Sequence, residues 1–376
     1  DELRSAISHA PAFVDSFLAL YRSHHSTLEK MMHLGSELMP ESLVRASPGA
    51  AIHDFFRENG NHFEALERAT EALAAEEPHD PYTAQQVLQK RLLENHGYRV
   101  VTSPIDSLPD TLRVWDEAER KIYLSEALDH QNRTFQLAHA LCFIEFSDVL
   151  DAITGSTSFT SESHATRCHV ELANYFAAAF LMPYDAFLDK AEETHYDLDR
   201  LAAAFAVSIE QAAQRLTTLQ RDGRRGVPFF FLRIDKAGNV TKRFNATSFS
   251  IAEYGGACPV WNVHVAFRTP GVLLPQLVEL PDGQQFFTIS RTTERPVYSM
   301  ETQDRRLAIA LGCESQHAHR VIYASGLDLS PSGTASKIGI NCHLCPRHNC
   351  GQRAYDPIVT ELTTDTKRRG ETRYES

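Results

Sequence analysis

No stretch of this chain runs for the roughly 18 apolar residues that a bilayer-crossing helix needs, and the N-terminus lacks the basic-then-apolar pattern of a secretory signal. Neither a membrane-spanning nor an exported protein is indicated, and a cytoplasmic location is expected. Positive charge is also short, with 37 Lys and Arg against 49 Asp and Glu and a formal charge of −12. That balance repels a phosphate backbone unless the cations gather on one face, so composition does not point to direct DNA binding. Cysteine is sparse and odd in number, seven in 376 residues, and only the last three are closely spaced. A secreted disulfide framework is therefore set aside. Internal repeats and long low-complexity segments are absent too.

What is present is ample length for about two to three domains and an ordinary globular composition, 43% hydrophobic and 23% charged. Residues 1–78 read as amphipathic helices, "AFVDSFLALYRSHHSTLEKMMHLG" and "AIHDFFRENGNHFEALERATEALAAEEP", forming a connecting or dimerisation segment. Pro78 and Pro81 mark a boundary, and "YTAQQVLQKRLLENHG" is the next helix. Strands follow at "YRVVT" and "LRVWDEAERKIYLSEAL", then the helices "TFQLAHALCFIEF" and "HATRCHVELANYFAAAFLMP". "LDRLAAAFAVSIEQAAQRLTTLQ" reads as two short helices. As a DNA-reading pair it offers only Arg215 to meet phosphate, so a structural role is preferred.

Beyond about residue 222 the chain turns strand-rich. A hairpin is expected around Ala237-Gly238-Asn239, with further strands at "LPDGQQFFTISRTT", "RRLAIALGC" and "HRVIYASGL". The fold class is α+β: a helical segment over 1–78, a middle domain over 79–222, a strand-rich cysteine-bearing domain over 223–359 and a loose tail over 360–376. Since the first residue is Asp1 rather than Met, a fragment or processed chain is expected, with a functional domain upstream.

Two constellations carry chemistry. A zinc-peptidase helix sets two histidines one turn apart with a glutamate base beside the first. Here His139 stands in the first position, Ala140 replaces the glutamate and Phe143 replaces the second histidine. Such a set activates no water, and no catalytic residue is expected. The second is "GINCHLCPRHNCGQRAY", where Cys342, Cys345 and Cys350 form C-x2-C-x4-C. Three thiolates converging by tight turns demand a fourth ligand, from His343, His348, Cys258 or Cys313. Cys258 in "GGACPVW" is preferred, because glycines allow close approach and proline follows the thiol. A [4Fe–4S] cluster is favoured over zinc, which would show a second C-x2-C, and over free thiols. Cys142, Cys168 and Cys313 read as small core residues.

"RTFQLAHALCFIEF" and "VELANYFAAAFLMP" together resemble the ImmA/IrrE-type metallopeptidases, whose pattern puts an acidic third ligand at Glu171. With "LTTLQRDGRRGVPFFFLRID", "YGGACPVWNVHVAFRTPG" and "IGINCHLCPRHNCGQRAY", the chain from about 80 to 358 is similar to the short-chain fatty acyl-CoA regulator family, most of all to its propionate-catabolism branch. The resemblance implies a transcriptional regulator with a helix-turn-helix head not visible here, a degenerate zincin-like middle domain and no enzymatic activity. It implies a short acyl-CoA effector, propionyl-CoA foremost, and a [4Fe–4S] cluster on Cys342, Cys345, Cys350 and Cys258. A homodimer on promoter DNA is expected by the same analogy. For the CoA phosphates Arg215, Arg221, Arg224 and Arg225 are candidates, and for the acyl end Phe143 and Tyr175 near "PFFF".

Overall fold

The alternation in the C-terminal half predicts strands, and the sheet they form, with a core on each face, organises the fold. The computed structural model describes residues 48–108, 111–155, 162–249, 256–293, 306–329 and 334–357, with helical positions 14, 16, 17 and 20. The chain divides into Asp1–Ala51 and Ile52–Ser376. Apart from those four positions, the helix expected over residues 12–35 lies outside the described residues, as does the tail from 360.

The single helix expected across residues 51–78 is two, α1 (Pro48–Glu58) and α2 (Glu64–Glu76). The break falls at Gly60 and Asn61, both with positive φ, a conformation that glycine and asparagine tolerate best. Next come α3 (Ala84–His96), closed by left-handed Gly97, and a small sheet of β1 (Arg99–Ser103), β2 (Arg113–Asp116) and β3 (Lys121–Ser125). Its order is β1-β3-β2, with β1 parallel and β2 antiparallel to β3. α4 (His130–Glu145), capped by Asp129, follows, then α5 (Ser147–Thr154) and α6 (Glu162–Leu181), with α4 and α6 packed on each other. Pro183 starts α7 (Tyr184–Glu193), followed by α8 (Leu198–Ala204) and α9 (Ile209–Leu216), which opens on a Ser208–Gln211 capping box.

The second sheet comprises β4 (Phe230–Ile234), β5 (Val240–Asn245), β6 (Leu274–Glu279), β7 (Gln285–Thr293), β8 (Leu307–Glu314) and the two-residue β9 (Ser336–Lys337), in the order β5-β4-β8-β7-β6-β9. "HRVIYASGL", expected as a strand, forms two short 3-10 turns after β8 instead. Its apolar residues do not alternate, and β8 has already used the sheet position. β6, broken in the sequence by Pro275, is a strand the alternation did not reveal. Period 2 sorts the side chains: Phe231, Phe287, Ile289, Ile309 and Leu311 join the core shared with the helices. Phe230, Leu232, Ile234, Phe286, Ala308 and Ala310 form a second core with Phe249, Trp261 and Cys258 on the opposite face. At Gly312 a Cβ would come within 2.5 Å of Phe230 Cζ, so only glycine lets that ring lie against the neighbouring strand.

One buried ion pair ties α2 to α9. Arg215 is 0% exposed and donates from Nη1 and Nη2 to the two oxygens of Glu67 at 2.6 and 2.9 Å. Its Nε donates to the Met182 carbonyl at 3.0 Å, and the Tyr175 hydroxyl donates to Glu67 at 2.5 Å. Burial pushes the Glu67 carboxyl up, but Arg215 and Tyr175 outweigh burial and hold it below the ordinary range. Its contribution to stability is therefore complete above the ordinary glutamate pKa and fades as pH falls through the lowered one. Glu67→Gln is expected to cost about 3–5 kcal/mol at neutral pH, read by urea denaturation, because it leaves a buried guanidinium uncompensated. The wild type should also lose stability more steeply than the variant as pH falls below the ordinary glutamate pKa; parallel acid limbs would refute the linkage.

Candidate functional site

In a zinc peptidase the histidine on α4 offers a metal the single lone pair of a neutral imidazole. Here that lone pair is taken. Arg113 of β2 places Nη1 at 3.0 Å from His139 Nδ1 and also donates to the Gln136 carbonyl. Burial, then Arg113, then Lys242 drive the His139 pKa down to about 3, although its hydrogen bond with the Val170 backbone opposes this. The ring is neutral at physiological pH. Phe143 lies against it, centroids 5.3 Å apart. Glu171, at the acidic third-ligand position on α6, has Lys242 Nζ at 3.5 Å and accepts from Asn174 Nδ2 at 3.2 Å. Two protein cations thus stand where the peptidase pattern requires one metal ion.

The cysteines meet elsewhere. Cys258, Cys342, Cys345 and Cys350 line one small cavity with Lys337, Arg347 and Arg353, and no carboxylate is in its wall. Burial raises the Cys258 thiol, while N–H groups of Gly339 and Val260 favour its thiolate. Arg353 is 5% exposed and donates to the carbonyls of Cys342 and Cys345, both at 3.1 Å, and to that of Arg347. Its Nε is a buried donor without a partner among the described residues. A Cβ at Gly339 would lie 2.7 Å from Cys345 Sγ, so glycine is required where the loop folds over that thiol. Among the described residues no group of three or more His, Cys, Asp or Glu is spaced to grip a single metal ion. The other three cysteines are buried in the core with thiols driven up to about 12 by burial.

A larger cavity of about 950 Å³ opens on the helix-facing side of the second sheet. Residues from α4, α8 and α9 form one wall, and Arg233, Lys242 and Arg291 stand in the other. Those three cations escaped the sequence reading: they sit singly or, for Lys242, beside Arg243 in three separate strands, and only strand register brings them together.

The residues proposed for CoA are not gathered here. Arg215 has no exposed surface, so a phosphate would have to displace Glu67 to reach it. Arg221 pairs with Glu64 and Glu71 and stacks 4.3 Å over Tyr184; Arg224 pairs with Asp185 and Asp189. Arg225 pairs with Asp222 and lines a separate cleft with Arg57 and His62. Tyr175 belongs to the buried Glu67 network and Phe143 packs on His139. With Arg215 buried, α9 also shows no basic group to DNA.

The fold therefore joins a helical half bearing His139 and Glu171 to a sheet domain with a cysteine-lined cavity. Residues 93–217 match the IrrE N-terminal-like domain and residues 218–374 the C-terminal domain of short-chain fatty acyl coenzyme A regulators. The chain is 40% identical over its whole length to 79% of the propionyl-CoA carboxylase regulator of Cereibacter sphaeroides. It is 37% identical to the HTH-type transcriptional regulator RamB of Mycobacterium tuberculosis, over 98% of this chain and 78% of that one. The figure for PrpR of the same organism is 32%, over 97% and 75%. A solved Mycobacterium tuberculosis transcriptional regulator superposes with a TM-score of 0.82 at 34% identity, covering 88% of this chain and all of that one. This chain belongs to the short-chain fatty acyl-CoA regulator family of transcriptional regulators.

Replacing Arg113 by Gln removes the nearest charge from His139, and the imidazole should then titrate closer to the ordinary histidine range in an NMR pH series. An unmoved midpoint would show that burial and Lys242 hold the ring neutral without Arg113.

Proposed function

We propose that this chain is the sensing part of a regulator of short-chain fatty acid catabolism genes, binding a short acyl-CoA, propionyl-CoA foremost, and a [4Fe–4S] cluster. The cluster reading rests on one observation: four cysteines from two distant stretches line a single cavity whose other charged groups are all cationic. A cluster held by four thiolates carries net negative charge and sulfide acceptors. Lys337, Arg347 and Arg353 answer the charge, and the unpaired Arg353 Nε is a donor suited to such an acceptor. Cys258, Cys342, Cys345 and Cys350 would hold the cluster, which when bound cross-links the "GGACPVW" loop to the C-terminal loop and can accept or release one electron.

The acyl-CoA is assigned to the cavity of about 950 Å³, within the range of sites that enclose cofactor-sized ligands. It lies between the IrrE-like helices and the sheet, where a ligand can favour one arrangement of the two over another. In this reading the chain acts as a homodimer whose helix-turn-helix heads read paired half-sites on promoter DNA. Proteolysis is not part of it, since neither His139 nor Glu171 is left open to a metal.

Protein purified without oxygen should be brown, with about four iron and four sulfide per chain. Cys258→Ser and Gly339→Ala should each lower that content, the second by driving a methyl into Cys345 Sγ. A colourless, zinc-loaded protein would refute the cluster. Calorimetry should detect propionyl-CoA binding, and no heat at near-millimolar ligand would remove the effector assignment.

A further inference from the structure

The three cations of the large cavity come from three different strands, yet they lie in one row. In the strand register Lys242 of β5 faces Arg233 of β4, Arg233 faces Ile309 of β8, and Ile309 faces Arg291 of β7. Residues directly opposite point to the same face, so the row runs across four adjacent strands on the side turned toward the helices. Like charges set opposite one another destabilise a sheet. Something must answer them.

What answers them in this structure comes entirely from the other domain. Arg233 Nη1 donates to Glu210 of α9 at 2.6 Å, Arg291 Nη1 donates to Asp199 of α8 at 2.7 Å, and Lys242 Nζ stands 3.5 Å from Glu171 of α6. Three ion pairs therefore stitch the sheet to the IrrE-like helices around one cavity, with the cations all on the sheet and the carboxylates all on the helices. None is a deep pair like Glu67–Arg215. Asp199 is 60% exposed and would return to water if released. Glu210 would keep Gln214 Nε2 and Thr293 Oγ1, and Glu171 would keep Asn174 Nδ2. Water can take up the exposed Asp199, and neutral donors stay on Glu210 and Glu171, so release of the cation is easiest at Asp199 and harder at the more buried Glu210.

We propose that Lys242, Arg233 and Arg291 are the residues that hold the anionic part of the cavity's ligand, and that it binds by exchange. Its phosphates replace Glu171, Glu210 and Asp199, and the seam between helices and sheet is released. Phosphate suits the row: it carries more charge than a carboxylate, accepts from several donors at once and matches guanidinium geometry. Arg291–Asp199, the most exposed pair, exchanges first. This inference rests on the reading that the cavity takes an acyl-CoA, and it adds which side chains hold the phosphates and how binding reaches the domain seam.

The test is calorimetry of propionyl-CoA and of free coenzyme A on the full chain and on charge-neutral variants of each side of the seam. If ligand and carboxylate compete, Asp199→Asn and Glu210→Gln should tighten both ligands about two- to fivefold, the scale of a partly exposed ion pair. Arg291→Gln and Arg233→Gln should weaken both about tenfold or more, and hydrogen exchange over residues 198–216 should rise on ligand addition to the wild type. If the wild type binds while Asp199→Asn and Glu210→Gln leave affinity unchanged or lower it, exchange is overturned and the acyl-CoA reading stands. Full affinity in Arg233→Gln and Arg291→Gln, with melting temperatures near wild type, overturns the assignment of the row. A wild type that binds neither ligand overturns the reading and the inference together.

Discussion

A sheet buried on both faces can carry charge only where another element answers it, and the second sheet of this chain is such a sheet. Phe231, Ile289, Ile309 and Leu311 look toward the helices; Phe230, Leu232, Ala308 and Ala310 look the other way into a core that includes Cys258. The first face ends in the row Lys242, Arg233 and Arg291, which the helices meet with carboxylates around the large cavity. The second face leads to the cysteine cavity, where β9 pairs with β6 and Ile338 closes the core. Both candidate sites thus hang on one sheet from opposite sides, and a change in sheet packing is felt at both.

The IrrE-like half supplies the fixed partner. Its likeness to the IrrE N-terminal-like domain covers α4 and α6, where Arg113 meets His139 and Lys242 meets Glu171. An imidazole caught between burial and a guanidinium stays neutral and has no lone pair to spare. Lys242 also belongs to the cavity wall. Arg215 and Glu67 tie α2 to α9, and Arg215 also holds the Met182 carbonyl just after α6.

Much of the architecture was legible in the chain because it is written in local periodicity. The helices around His139 and Glu171, the hairpin at Gly238 and strands β7 and β8 follow from 3.6- and 2-residue patterns and turn residues. The C-x2-C-x4-C spacing likewise placed three thiols close together, since residues close in sequence need only tight turns to converge on one cavity. Where periodicity misled, the cause was local: Gly60 and Asn61 turn the chain between α1 and α2, and "HRVIYASGL" lacks the alternation of a strand and forms 3-10 turns.

By itself the sequence determined the family, the loss of the catalytic pair and the three clustered thiols, all of which depend on residue identity at short spacing. Only the tertiary structure decided what the charged residues do. Arg215 was a candidate for phosphate and lies buried on Glu67, 148 positions away. Arg233, Lys242 and Arg291 drew no attention singly and became a row through strand register. A charge is read by whatever faces it, and in a sheet protein what faces a residue is set by register and domain packing, which adjacent sequence does not encode.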